Sequence, residues 1–129
     1  MTMVWKGVII EESLEDKTLL DMVNIVGTRE ATLKQEEERG VMHLHLFEVE
    51  DAKRTDFVEK AKSAIKQSWY IHIAKDETIV VIFKNKSFEF SVDEEDKVQE
   101  AKDYAMSIGI NAAQIGFTKL ARDPHSEKA

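Results

Sequence analysis

Residues 69–92 read WYIHIAKDETIVVIFKNKSFEFSV, and the reading of that stretch decides the fold. Ile71, Ile73, Ile79, Val80, Val81 and Ile82 crowd it together with Phe83, Phe88 and Phe90. Branched and aromatic side chains fit a pleated, packed surface better than a helix. The breaks at Asp76-Glu77 and Asn85-Lys86 have the length of two-residue hairpin loops, and Asn85 tolerates the positive φ that such loops need. The spacing predicts a three-stranded meander with Lys75 opposite Thr78 and Lys84 opposite Ser87.

Strict alternation then sorts the side chains onto two faces. Tyr70, His72, Ala74, Ile79, Val81, Phe83, Phe88, Phe90 and Val92 make one face, which reads as core. Trp69, Ile71, Ile73, Val80 and Ile82 make the other, diluted by Ser87, Glu89 and Ser91. Burying one Val- or Ile-sized side chain is worth ~1.5–3 kcal/mol, so the second face needs a cover. A helix of the same chain, a second copy of the chain and a ligand all fit. Those five residues are therefore the candidate assembly or ligand face.

Outward from the meander, Val4–Glu11 is apolar on both parities and predicts a strand in the middle of the sheet. Ser13 and Asp16 have the spacing of a capping box before a short helix reaching about Asn24, with Leu19, Leu20, Met22 and Val23 as its buried stripe. Gly27 ends that helix in this reading. Thr28–Glu36 and Val41–Glu50 pair as a hairpin turning at Glu38-Arg39, which sets Lys34 opposite His43. Thr55 caps a second helix running to about Gln67, with Phe57, Val58, Ala61, Ala64 and Ile65 on one side. Ser91-x-x-Glu94 is a capping box for a third helix over about Asp93–Ile108.

The order is β-α-β-β-α-β-β-β-α, an α+β fold with a mainly antiparallel sheet of five to six strands and three helices. From about Asn24 onward, β-β-α-β-β-β-α resembles the element order of profilin-like and roadblock-like domains. That resemblance implies helices on both sides of a five-stranded sheet. Residues 1–117 are expected to form one domain, and 118–129, polar and aperiodic, a flexible tail.

Bulk properties narrow the function classes. The chain has 129 residues, no cysteine and a net charge of −7. Disulfides, thiolate zinc sites and cysteine nucleophiles are thereby excluded. The acidic balance argues against general nucleic-acid binding, because neutralising phosphate supplies most of the non-specific affinity. No apolar run approaches the ~20 residues of a membrane span. The start lacks the marks of a signal peptide, so the expected compartment is the cytoplasm.

His43-x-His45 is the strongest candidate for chemistry, since residues two apart on a strand share a face and both rings could reach one ion. Lys34 opposite His43 and the lack of a third ligand at a fixed spacing weigh against a metal. His72 falls on the core face and reads as a buried histidine bonded to Tyr or to backbone. Glu89 on the second meander face needs a partner such as Lys84. No nucleophile elbow or glycine-rich phosphate loop is present, so no catalytic residue and no cofactor are assigned. The reading is a small cytoplasmic protein acting through protein contacts, as a homodimer or a subunit of an assembly. Its rival is a small-molecule binder or enzyme with a pocket between the meander and a helix, walled by His72, Tyr70 or Glu89.

Overall fold

A computed structural model describes residues 4–32, 40–112 and 115–125. Six strands form one antiparallel sheet: β1 (Val4–Ile10), β2 (Asn24–Ala31), β3 (Met42–Glu50), β4 (Ile71–Lys75), β5 (Thr78–Phe83) and β6 (Lys86–Ser91). Their order across the sheet is β2-β3-β1-β4-β5-β6. The α-helices are α1 (Arg54–Ala64), α2 (Glu95–Ser107) and α3 (Phe117–Arg122). The fold is the α+β type expected. Among the described residues no helix is long and apolar enough to cross a membrane.

β1 lies between β3 and β4, as its two apolar parities require. This insertion makes the sheet six-stranded, one more than the resemblance implied. Gly7 stands where β1 must pass close to its neighbours. A Cβ there would sit 2.0 Å from the His72 carbonyl oxygen and 2.9 Å from the Phe47 ring. Only glycine fits that crossing.

The meander forms with its faces as read. Asp76 and Glu77 both take positive φ, 52° and 64°, and Lys75 pairs with Thr78. At the second loop Asn85 takes φ 63°, but it is the second loop residue, after Lys84. Phe83 therefore pairs with Lys86 and Ile82 with Ser87, two residues off the expected register. A shift of two leaves every side chain on its predicted face, because the strand period is two.

The cover of the second face is a helix of the same chain. Phe57, Val58, Ala61 and Ala64 of α1 pack with Ile71, Ile73, Val80 and Ile82 in one buried cluster. Those four strand residues are 0–2 % exposed beneath α1. Trp69 is only half-buried at the rim of the same cluster. On the opposite face, α2 and α3 cover Tyr70, Ala74, Ile79, Val81, Phe83 and Phe90. Helices therefore lie on both sides of the sheet.

Other expectations are corrected. The segment before β2 is a 3₁₀ helix, Lys17–Met22, rather than an α-helix, although its apolar residues pack inward as expected. Asp16, not Ser13, caps it, accepting from the Thr18 N–H at 3.0 Å. Ser13 is buried and donates to the Ile10 carbonyl. Gly27 lies inside β2. α1 starts at Arg54 with no side-chain cap from Thr55. At α2, half of the capping box forms: Glu94 accepts from the Ser91 N–H at 3.0 Å.

The described residues after position 117 are packed rather than loose. α3 buries Leu120 and Ala121 to 4 % and 3 % exposure. Beyond it, the His72 ring donates to the Pro124 carbonyl at 2.7 Å, and the His125 ring donates to the Phe47 carbonyl at 2.9 Å. One turn of apolar spacing, Phe117 with Leu120 and Ala121, suffices to dock a six-residue helix when the sheet supplies the other wall.

Candidate functional site

Two adjoining features stand out from this frame: the edge strand β2 and a histidine–carboxylate cluster beside it. β2 ends the sheet and pairs on one side with β3. A bulge between Ile25 and Gly27 leaves Val26 without a partner opposite. All of its residues from Asn24 to Ala31 are exposed or half-exposed, with Ile25 at 41 % and Val26 at 51 %.

The β2–β3 register differs from the expected one by four residues. Glu30 faces His43, and Thr28 faces His45. Lys34 and the predicted turn at Glu38-Arg39 lie outside the described residues. An acid thus stands where the sequence reading put a base, and the repulsion expected at His43 is replaced by attraction.

The turn Glu11–Ser13, which leaves β1, brings two more carboxylates. Glu12 accepts from the His43 backbone N–H at 2.9 Å, and its other oxygen lies 2.5 Å from His43 Nδ1. His43 Nε2 lies 3.2 Å from the Glu30 carboxylate. His45 Nε2 donates to Glu11 at 2.8 Å, and His45 Nδ1 is 3.1 Å from Thr28 Oγ1. Lys17 Nζ reaches Glu11 at 3.4 Å.

The electrostatics follow from these contacts. The hydrogen bond to Glu12 raises the His43 pKa, opposed by desolvation and aided by the charges of Glu12, Glu30 and Glu11. Burial alone would raise Glu12, but the His43 backbone N–H and ring outweigh it and hold the carboxyl below its ordinary value. Glu11 is lowered chiefly by the His45 ring and then, against some desolvation, by Lys17.

Both rings have both nitrogens engaged by protein groups. Among the described residues, no set of three or more His, Asp or Glu side chains is arranged to hold a metal ion. His45 has a second capability. With Nε2–H given to Glu11, the neutral ring accepts the Thr28 hydroxyl, which is the order of nucleophile, base and orienting acid. Thr28, however, is exposed on an edge strand. Nothing there holds a substrate in attack geometry, and positioning supplies much of such catalysis.

The other candidates are placed apart from this cluster. His72 is fully buried under the C-terminal segment, where it holds Pro124. Burial raises the Tyr70 hydroxyl well above its ordinary range, so it stays protonated. Glu89 pairs with Arg54 of α1 rather than with Lys84, which reaches Glu15. Arg54 also lies over the Trp5 ring, 4.8 Å from its centroid. Packed side chains fill the space between the meander and α1. No protein-family model, curated protein or solved structure matches the chain.

Sequence reasoning singled out His43 and His45, with Glu30 and Glu36 only as neighbours by inference, but missed Glu11, Glu12 and Thr28 as their partners. The one available signal was the acidic pair Glu11-Glu12 at the end of an apolar strand, beside a neighbouring strand with an alternate-histidine pair.

Proposed function

We propose that this protein works through protein contact, and that the docking element is the outer edge of β2, paired antiparallel with β2 of a second copy. The observation that carries this reading is the exposure of β2 on both faces at the end of the sheet. Protein edges are usually blunted by shortness, proline, clustered charge or a bulge, because an open strand templates further pairing. The bulge of β2 is confined to the step between Ile25 and Gly27, and residues 27–31 keep a regular register with β3. β2 has eight residues, no proline, and only Arg29 and Glu30 as charges, which cancel. On a chain of net charge −7, that neutral strand is a place where two copies meet without strong repulsion. A two-fold axis lets the same edge serve both partners.

Light scattering over a dilution series tests it. The wild type is expected to have dimer mass at micromolar concentration, and Val26→Lys to have monomer mass. A wild type that stays monomeric at the highest concentration overturns the reading.

A further inference from the structure

We propose that His43 is a pH-operated clasp on the edge strand: protonated, its ring ties Glu12 of the turn after β1 to Glu30 of β2, and deprotonated it lets Glu30 go. This deepens the reading of β2 as a docking edge and rests on it only for the consequence for assembly.

Two carboxylates face the ring, Glu12 hydrogen-bonded at Nδ1 and the charge of Glu30 beside Nε2. Glu12 lies at 2.5 Å from Nδ1 and Glu30 at 3.2 Å from Nε2. Ionised carboxylates only accept, and a neutral imidazole has one N–H. The proton that remains belongs at Nδ1, because Glu12 is the closer acid and is already fixed by the His43 backbone N–H. Nε2 then turns a lone pair toward the Glu30 carboxylate, and the contact becomes repulsive. Glu30 is the partner free to leave, since its side chain is 67 % exposed against 34 % for Glu12.

The surrounding charges favour the closed form. Glu11, Glu12 and Glu30 each raise the His43 pKa through their charge. His45, two residues along β3, is taken up by Glu11 and Thr28, and Lys17 sits on the far oxygen of Glu11. Arg29, next to Glu30, alternates to the other face of the sheet.

The sign of the pH effect follows. His43 is raised from its ordinary 6.5, so its contribution is whole below 6.5 and is lost as pH climbs through the raised value. Glu11 and Glu12 are lowered from their ordinary 4.5, so theirs is whole above 4.5 and lost as pH falls through the lowered values. The clasp is closed between those limits and opens on the alkaline side. Where β2 docks a second copy, docking is then tighter below the raised His43 value than above it.

Hydrogen exchange on the full chain tests the clasp. Protection factors, corrected for intrinsic exchange, are compared over a pH series from about 6 to about 9.5, with the amides of β5 as internal reference. Protection of β2 is expected to fall severalfold at the higher pH while β5 holds, and Glu30→Gln is expected to abolish that difference. Unchanged β2 protection in the wild type, or an undiminished difference in Glu30→Gln, overturns the proposal. Repeating the measurement on Val26→Lys, whose docking edge is disabled, separates the two ideas. Failure of the docking reading shows as a monomeric wild type, and failure of the clasp as pH-invariant β2 protection in both chains.

Discussion

β5 and β2 belong to one sheet and both carry an Ile-Val pair, yet those pairs live in opposite environments. Ile79, Val80, Val81, Ile82 and Phe83 of β5 are all buried, two strands in from β1 and helix-covered on both faces. Ile25 and Val26 of β2 are exposed. The difference teaches that an apolar side chain stabilises a strand in proportion to what closes over it. β5 has α1 on one face and α2 with α3 on the other. β2 has a hydrogen-bonded neighbour and, at Val26, a bulge.

The same substitution in the two strands gives the sharpest contrast. Val81→Lys puts an unpaired charge among buried aromatic side chains and is expected to cost about 4–5 kcal/mol or more, leaving little folded protein by urea denaturation. A modest loss would mean that β5 is less enclosed than its burial indicates.

Leu120→Ala comes next. Its side chain is 4 % exposed in the wall that α3 builds against β4 and β5, so a loss of about 2–4 kcal/mol is expected in the same assay. A loss below about 1 kcal/mol would detach α3 from the core and restore the loose tail that composition suggested.

Val26→Lys is expected to change stability of the isolated chain by no more than about 0.5 kcal/mol, since the site is half open and unpaired at the bulge. A large loss, measured at concentrations where the wild type is monomeric, would erase the contrast between the strands.

Much of the fold was legible because its signals are local. The two-parity run of β1, the alternation in residues 69–92 and the stripe Phe57-Val58-Ala61-Ala64 each identify an element and its buried side without knowledge of its neighbours. Register errors of two and four residues did little harm, since an even shift keeps the faces. The His–carboxylate cluster was less legible. Its members come from the end of β1, from β2 and from β3, and the β2–β3 register that brings Glu30 and Thr28 opposite the histidines lies four residues from the one the spacing predicts.

By itself, then, the sequence determined the α+β class, the strands of the meander and of β1, which of their sides and of α1's are apolar, and that cysteine chemistry plays no part. Those are properties of periodicity and composition, set by nearest neighbours. The tertiary structure alone decided that α1 closes the second face of the meander, that α3 docks Leu120, and that Glu30 rather than Lys34 stands opposite His43. Each of these is a choice between pairings of distant segments whose local patterns are equally satisfied. Only the packing of the whole sheet, with β1 threaded past Gly7 between β3 and β4, separates their free energies.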